Sequence, residues 1–123
     1  MQHQEFALCH DKRLTATPEN KEKPTANELT TKVSMKSSLL SGAWGGLPLI
    51  FSLEELPVDQ RFEDTLSECW ETATLEEPVS VVGFPEVHLQ LNCDRPCAVV
   101  AVRLCDVFPN GESSLISRGK ISV

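Results

Sequence analysis

The sequence predicts an all-β chain, and three patterns support that prediction. Apolar and polar residues alternate over residues 87–93, as they do in a strand with one buried face. Residues 98–107 carry apolar side chains at both alternating sets of positions, which indicates a central strand covered on both sides. A Pro-Asn-Gly turn at residues 109–111 then predicts a chain reversal, so a last strand at residues 115–123 should pair back on residues 98–107.

Two further strands are predicted at residues 66–73 and 79–84, each followed by turn residues. No stretch keeps a helical repeat for more than two turns. Short strands with turns at this spacing are typical of an antiparallel sandwich, which we place in residues 39–123. Residues 1–38 are expected to form a flexible or extended connector, because polar residues and Pro dominate from Asp11 onward.

The charge of the chain bears on its partners. The formal net charge is −7, and residues 36–123 hold thirteen acidic against six basic side chains. An acidic domain repels phosphate backbones and anionic lipid headgroups, so neither nucleic acid nor a membrane is expected as a partner. No run approaches the roughly 18 apolar residues of a membrane-spanning helix.

The cysteines indicate the compartment. There are five of them, Cys9, Cys69, Cys93, Cys97 and Cys105. Their odd number and wide spacing do not fit a disulfide scaffold, so a cytoplasmic protein with reduced thiols is expected. Three of them, Cys69, Cys93 and Cys105, fall in predicted strands, where a free cysteine acts as a small buried apolar side chain.

Four runs of sequence carry a resemblance to a known family. They are LPVDQRFEDTLSECW, LEEPVSVVG, the Asp94-Arg95-Pro96 element and AVRLCDVFPNGESSLISRG. Together they resemble the C-terminal, non-catalytic domain of the Xaa-Pro dipeptidyl-peptidase and cocaine-esterase (CocE/NonD) family of serine hydrolases. The resemblance covers residues 39–123, and the pattern AVRLCDV-x-P-x-G-x-S is its specific part.

The resemblance implies a particular kind of sandwich. In that family an α/β-hydrolase catalytic domain precedes a jelly-roll-like, galactose-binding-domain-like β-sandwich. A jelly roll needs about eight strands, whereas five or six are predicted here, and the family's sandwiches continue past the position that matches Val123. We therefore expect a sandwich truncated at its C-terminus, whose unpaired edge at residues 115–123 is available for a homodimer.

The sequence contains no set of residues for the family's acyl-transfer chemistry. The nucleophile elbow Gly-x-Ser-x-Gly is absent, and His88, the one histidine in a predicted strand, should point to solvent. Cys93 and Cys97 are spaced as a zinc ligand pair, but only Cys105 could add a third sulfur, so a turn with incidental thiols is the favoured interpretation. No catalytic residue, metal site or cofactor is predicted.

Two aromatic residues are candidates for contact with a catalytic domain. Trp44 is the large aromatic of the glycine-rich loop 41–48, which the resemblance places near the boundary with that domain. Trp70 lies in the predicted strand 66–73. Either ring is alternatively a platform for a sugar.

Two arginines complete the candidate interface. Arg61 is the only base among nine acids in residues 54–77, and Arg103 interrupts an apolar strand. Each is expected to pair with an acid of its own domain, and docking against a catalytic domain is the alternative for Arg103. The candidate partners are Asp59, Glu63 and Asp64 for Arg61, and Asp106, Glu86 or another acid for Arg103.

These observations favour one function and leave a second open. The resemblance implies an accessory domain of a serine hydrolase, which packs on the α/β-hydrolase catalytic domain, shapes the mouth of the active site and is not catalytic alone. The alternative is a free-standing β-sandwich module that binds carbohydrate or a protein ligand. The low aromatic content, 6%, and the absence of Tyr count against the module.

Overall fold

A computed structural model describes residues 4–17, 32–41 and 59–123. Within these residues it contains two antiparallel two-stranded sheets and one helix of five residues. The elements in chain order are β1 (Glu5–Leu8), β2 (Leu14–Thr17), α1 (Arg61–Thr65), β3 (Val99–Val107) and β4 (Ser113–Ser122). The predicted all-β class is confirmed. No helix in the described part of the chain is long and apolar enough to cross a membrane.

The chain divides into two compact units. The first is formed by Met1–Ser37 and Ser67–Val81, and the second by Ser38–Leu66 and Val82–Val123. The predicted boundary at residue 38 between a connector and a sandwich stays a prediction.

The first unit is built on the β1–β2 hairpin, whose register runs from Glu5 opposite Thr17 to Leu8 opposite Leu14. Its sequence signal is weak, because each strand has only four residues, and it lies in the region expected to be a connector. The predicted strand 66–73 is wrong. Among those residues only Glu71 makes a β-bridge, to Arg13, and its carbonyl accepts the backbone N–H of Leu14 at 2.7 Å.

The second unit is built on the β3–β4 hairpin. Its register runs from Val99 opposite Ser122 to Val107 opposite Ser113, so the predicted strand at residues 98–107, the last strand and their pairing are confirmed. The register shifts between Leu104 and Cys105, which leaves Ile116 as the extra residue of a β-bulge.

The turn of this hairpin has three residues. The backbone N–H of Gly111 donates to the Phe108 carbonyl at 2.8 Å, and the Phe108 N–H donates to the Glu112 carbonyl at 2.9 Å. Gly111 has φ +84°, a conformation that residues with a Cβ rarely adopt. The side-chain oxygen of Asn110 accepts the Glu112 N–H at 3.0 Å. This arrangement matches a type I turn followed by a left-handed glycine.

The predicted strands at 79–84 and 87–93 are wrong. Residues 75–97 contain no strand, and Val87, Leu89 and Leu91 are 51%, 45% and 51% exposed. Alternation produces a strand only where a neighbouring strand pairs with the backbone and another layer covers one face, and no described strand pairs with these residues. Cys93, expected to be buried, is exposed for the same reason.

Candidate domain-interface site

The buried residues in the described part of the chain are polar. No apolar side chain there is buried, whereas Gln60, Glu63 and Ser113 are only 2%, 4% and 2% exposed. Gln60 and Ser113 lie where α1 meets the β3–β4 hairpin, and Glu63 lies on α1. The second unit is therefore organised around a polar junction, which we call the α1–hairpin junction and define by Asp59, Gln60, Asp64, Arg103 and Ser113.

Backbone hydrogen bonds fix the start of α1 on β4. The backbone N–H of Gln60 donates to the Ser113 carbonyl at 2.7 Å. The backbone N–H of Ser113 donates in turn to Oδ1 of Asp59 at 3.2 Å. Buried backbone groups must be paired, and these two bonds pair them at the point where β4 begins.

Arg103 links β3 to α1. Its Nη1 donates to Oε1 of Gln60 at 2.7 Å, and its Nη2 lies 3.0 Å from Oδ1 of Asp64. The side chains of Arg103 and Asp64 are 19% and 29% exposed, so the pair is partly desolvated. The partner is thus an acid of the same unit, although neither Asp106 nor Glu86. A direct contact between Arg103 and a catalytic domain stays a prediction.

Arg61 pairs with Asp59, one of its three predicted partners. Its Nε donates to Oδ2 of Asp59 at 2.6 Å, while 61% of the arginine side chain remains exposed. The Arg61 side chain, and next its backbone N–H, hold the pKa of the Asp59 carboxyl below its ordinary value. The carboxylate therefore stays charged where it accepts the Ser113 N–H. A surface role for Arg61 is compatible with its exposure.

Cys105 lies on β3 beside this junction. Burial raises the pKa of its thiol, against a smaller lowering effect of the Ser113 hydroxyl. Because the thiolate is the nucleophilic form, this half-buried thiol is poorly suited to reaction. Its environment is that of a structural cysteine.

Trp70 is committed to contacts inside the first unit. Its indole N–H donates to the Cys9 carbonyl at 3.1 Å. The ammonium group of Lys12 lies 4.9 Å from the ring centroid and also pairs with Glu68. This half-buried ring is therefore a poor sugar platform. Trp44 lies outside the described residues, so its predicted role stays a prediction.

A shallow groove in the first unit has mixed charge. Its volume is about 630 Å³, and its lining residues are Asp11, Lys12, Arg13, Cys69, Glu71, Thr72, Ala73 and Thr74. Its cations lie beside acids of the same unit. Lys12 pairs with Glu68, and Nε of Arg13 lies 3.6 Å from Oδ2 of Asp11. Throughout the described ranges, no three His, Cys, Asp or Glu side chains are grouped to hold a metal ion.

One segment of the second unit carries several exposed apolar side chains, and we call it the 82–91 strip. Its apolar members are Val82, Phe84, Val87, Leu89 and Leu91, which are 72%, 98%, 51%, 45% and 51% exposed. His88 within it is 92% exposed, as expected, and lies 3.8 Å from Glu86. Contiguous exposed apolar residues mark surfaces that a partner covers. The apolar residues of this segment are visible in the sequence, but their pattern predicts parts of two strands, 79–84 and 87–93, instead of an exposed surface.

Comparison with known proteins identifies the family. The family model for the X-Pro dipeptidyl-peptidase C-terminal non-catalytic domain matches residues 2–123. The chain belongs to this family, and the match confirms the resemblance to the Xaa-Pro dipeptidyl-peptidase domain and covers essentially the whole chain. The comparisons with curated proteins and with solved structures gave no match.

Proposed function

We propose that this chain is the accessory domain of a serine hydrolase, packs on an α/β-hydrolase catalytic domain and shapes the mouth of its active site. Family membership supports the partner, because a non-catalytic C-terminal domain implies a catalytic one. The parent activity we propose is Xaa-Pro dipeptidyl-peptidase, with an esterase of the cocaine-esterase type as the alternative. Chemistry belongs to the catalytic domain, since no nucleophile elbow occurs in this sequence.

The observation that carries the packing is the 82–91 strip. Five large apolar side chains within ten residues are about half or more exposed, and Phe84 is 98% exposed. Burying apolar area contributes roughly 25 cal/mol per Å². Covering the strip would therefore contribute favourably to docking. Its polar members, such as His88 and Gln90, would remain at the rim of the contact.

A homodimer through the edge of β4 is a further part of the proposal. Ile116 and Ile121 on this strand are 53% and 60% exposed. Among the described residues, β3 is the one strand paired with β4, and beyond Ser113, which bonds to Asp59 and Gln60, the outer edge of β4 is the surface that we propose for a second strand.

We also propose where in the cell the chain is located and which kinds of partner it does not bind. Five free cysteines support a cytoplasmic location, where thiols stay reduced. The net charge of −7 disfavours nucleic acid and anionic membranes as partners.

The test combines the purified chain with an X-Pro dipeptidyl-peptidase catalytic domain from which its own C-terminal domain has been removed. Alone, the chain should hydrolyse neither Xaa-Pro amides nor aryl esters above the buffer rate. Added to the catalytic domain, it should bind and raise kcat/KM for Xaa-Pro amides. Leu89→Asp should weaken binding about tenfold or more, because it places a charge in the apolar contact. The matched control is Gln90→Asp, which adds the same charge one residue away on the polar side.

Three results would count against the proposal. Turnover by the chain alone, blocked by a serine-directed phosphonate, would show a catalytic site of its own. Equal effects of Leu89→Asp and Gln90→Asp would remove the 82–91 strip from the contact. Saturable binding to immobilised glycans without binding to the catalytic domain would favour the free-standing carbohydrate module.

A further inference from the structure

Cys93 and Cys97 differ from the other three cysteines of the chain. Both are free and exposed, whereas Cys9, Cys69 and Cys105 are half-buried. They stand at the two ends of a short bend formed by residues 94–96. The two accessible thiols of the chain are therefore close neighbours in sequence.

The backbone of this segment is bent rather than extended. A fully extended chain would hold Cα atoms four residues apart at about 13 Å, whereas a disulfide needs about 4.4–6.8 Å. The backbone bends at each of the three intervening residues, and the ring of Pro96 fixes φ at the last of them. The local fold thus shortens the distance in the direction that a disulfide requires.

The two cysteines differ in the secondary structure that adjoins them. Cys97 precedes Ala98, whose N–H and carbonyl pair with Val123 at 2.9 and 2.8 Å and extend the β3–β4 ladder. Cys93 ends the unpaired segment that carries the 82–91 strip. One thiol is therefore anchored beside a sheet, whereas the other lies in a segment with no strand partner among the described residues.

We infer that Cys93 and Cys97 form a redox-reactive dithiol that a low-molecular-weight disulfide, such as glutathione disulfide, oxidises to an intramolecular disulfide. In the first step one cysteine thiolate attacks a sulfur of the oxidant, a mixed disulfide forms and one small thiolate leaves. In the second step the other cysteine thiolate attacks the protein sulfur of that mixed disulfide and the second small thiolate leaves. The protein loses two electrons and two protons, and the oxidant becomes two thiols.

Neighbouring thiols favour closure over accumulation of the mixed disulfide. A thiol joined by a short linker acts at an effective concentration of millimolar or above. The remaining thiols compete poorly because they are half-buried, and burial also raises the pKa of Cys105. The disulfide-closed ring would fix the direction in which residues 82–93 approach the start of β3.

The experiment treats the reduced full chain with glutathione disulfide at about pH 8, near the ordinary thiol pKa, and follows intact mass. The expected product has lost two hydrogen atoms, carries no glutathione and yields one peptide linking Cys93 to Cys97. Cys93→Ser and Cys97→Ser should each stop at a single glutathione adduct that lives about tenfold longer or more than in the wild type. Cys69→Ser should behave as the wild type does.

Several outcomes would overturn the inference. One is a wild-type chain that keeps stable glutathione on both cysteines. The others are a cross-link to a second chain and a disulfide that maps to Cys9, Cys69 or Cys105. Loss of closure in Cys69→Ser would contradict the pairing as well. Peptide mapping distinguishes these products directly, and serine at the two exposed positions removes no buried side chain.

Discussion

At the scale of single residues, Arg103 joins α1 to the β3–β4 hairpin through polar contacts. Its guanidinium contacts Gln60 and Asp64 on α1 from a position on β3. An arginine in an apolar strand is costly unless it is paired, and the planar guanidinium can serve two acceptors at once. The residue therefore specifies where α1 sits on the hairpin.

Replacing Arg103 by Met should lower the free energy of unfolding by about 1–3 kcal/mol. The change leaves the Asp64 carboxylate and the Gln60 amide oxygen without this donor in a partly desolvated place. Urea denaturation measures the effect. The matched control is Arg95→Met, at a side chain 79% exposed and 3.9 Å from Asp94, which should change stability by less than about 0.5 kcal/mol. Equal effects of the two substitutions would show that Arg103 is not structural.

Asp59 should make stability depend on pH at the acid end. Its pKa in the folded chain is lowered, chiefly by Arg61, so the unfolded chain takes up the proton first. The stabilisation is present above the ordinary Asp pKa of about 3.9 and is lost as pH falls through the lower folded pKa. Melting temperatures measured across this range should fall toward low pH less steeply in Asp59→Asn. Asp94→Asn, at an exposed carboxyl, is the control. Identical profiles for Asp59→Asn and the wild type would contradict this assignment.

At the scale of elements, the β3–β4 hairpin is the part of the second unit that its local sequence specifies. β3 is rich in Val, the turn has Pro, Asn and Gly in the required order, and the register follows from the length of the loop. Local propensity and pairing agree here. We expect this hairpin to be the most persistent element when the rest of the unit loosens.

Gly111→Ala should destabilise the hairpin by about 1–2 kcal/mol, because Ala in the left-handed region brings its Cβ too close to the backbone. Gly119→Ala is the matched control within β4, where an added Cβ meets no atom within 4 Å. That control should be neutral or slightly stabilising, since Ala loses less conformational freedom on folding. Thermal melts followed by circular dichroism would compare them. A loss for Gly119→Ala as large as that for Gly111→Ala would argue against the proposed turn geometry.

At the scale of the whole molecule, the described residues bury polar groups and expose apolar ones. Twenty large apolar side chains are exposed and none is buried in these ranges. Folding normally depends on the burial of apolar area. The described surface is therefore one that a partner domain or a second chain would stabilise.

The purified chain should bind a hydrophobic dye such as ANS under native conditions and should melt over a broad temperature range. Addition of the catalytic domain should displace dye from the 82–91 strip and sharpen the melt, because binding to the folded form stabilises it. Fluorescence titration and calorimetry measure both effects. Negligible dye binding together with a sharp, high-temperature transition of the chain alone would contradict this prediction.

The sequence by itself determined the family, the all-β class and the β3–β4 hairpin. It did so because the pattern around Arg103 to Ser113 is specific and because turn chemistry acts between near neighbours in the chain. It also favoured a nearby acid as the partner of Arg61 and of Arg103, and the observed partners are Asp59 and Asp64.

Only the tertiary structure decided which of the alternating segments pair with a neighbouring strand. Residues 87–93 have the same period of two as a true edge strand, but hydrogen bonds between strands depend on segments far apart in sequence, and alternation cannot report them. For the same reason the sequence missed the bridge between Arg13 and Glu71 and the choice of Asp64 as the partner of Arg103. Burial likewise depends on what lies across from a side chain, which is why Cys93 was expected inside and lies at the surface.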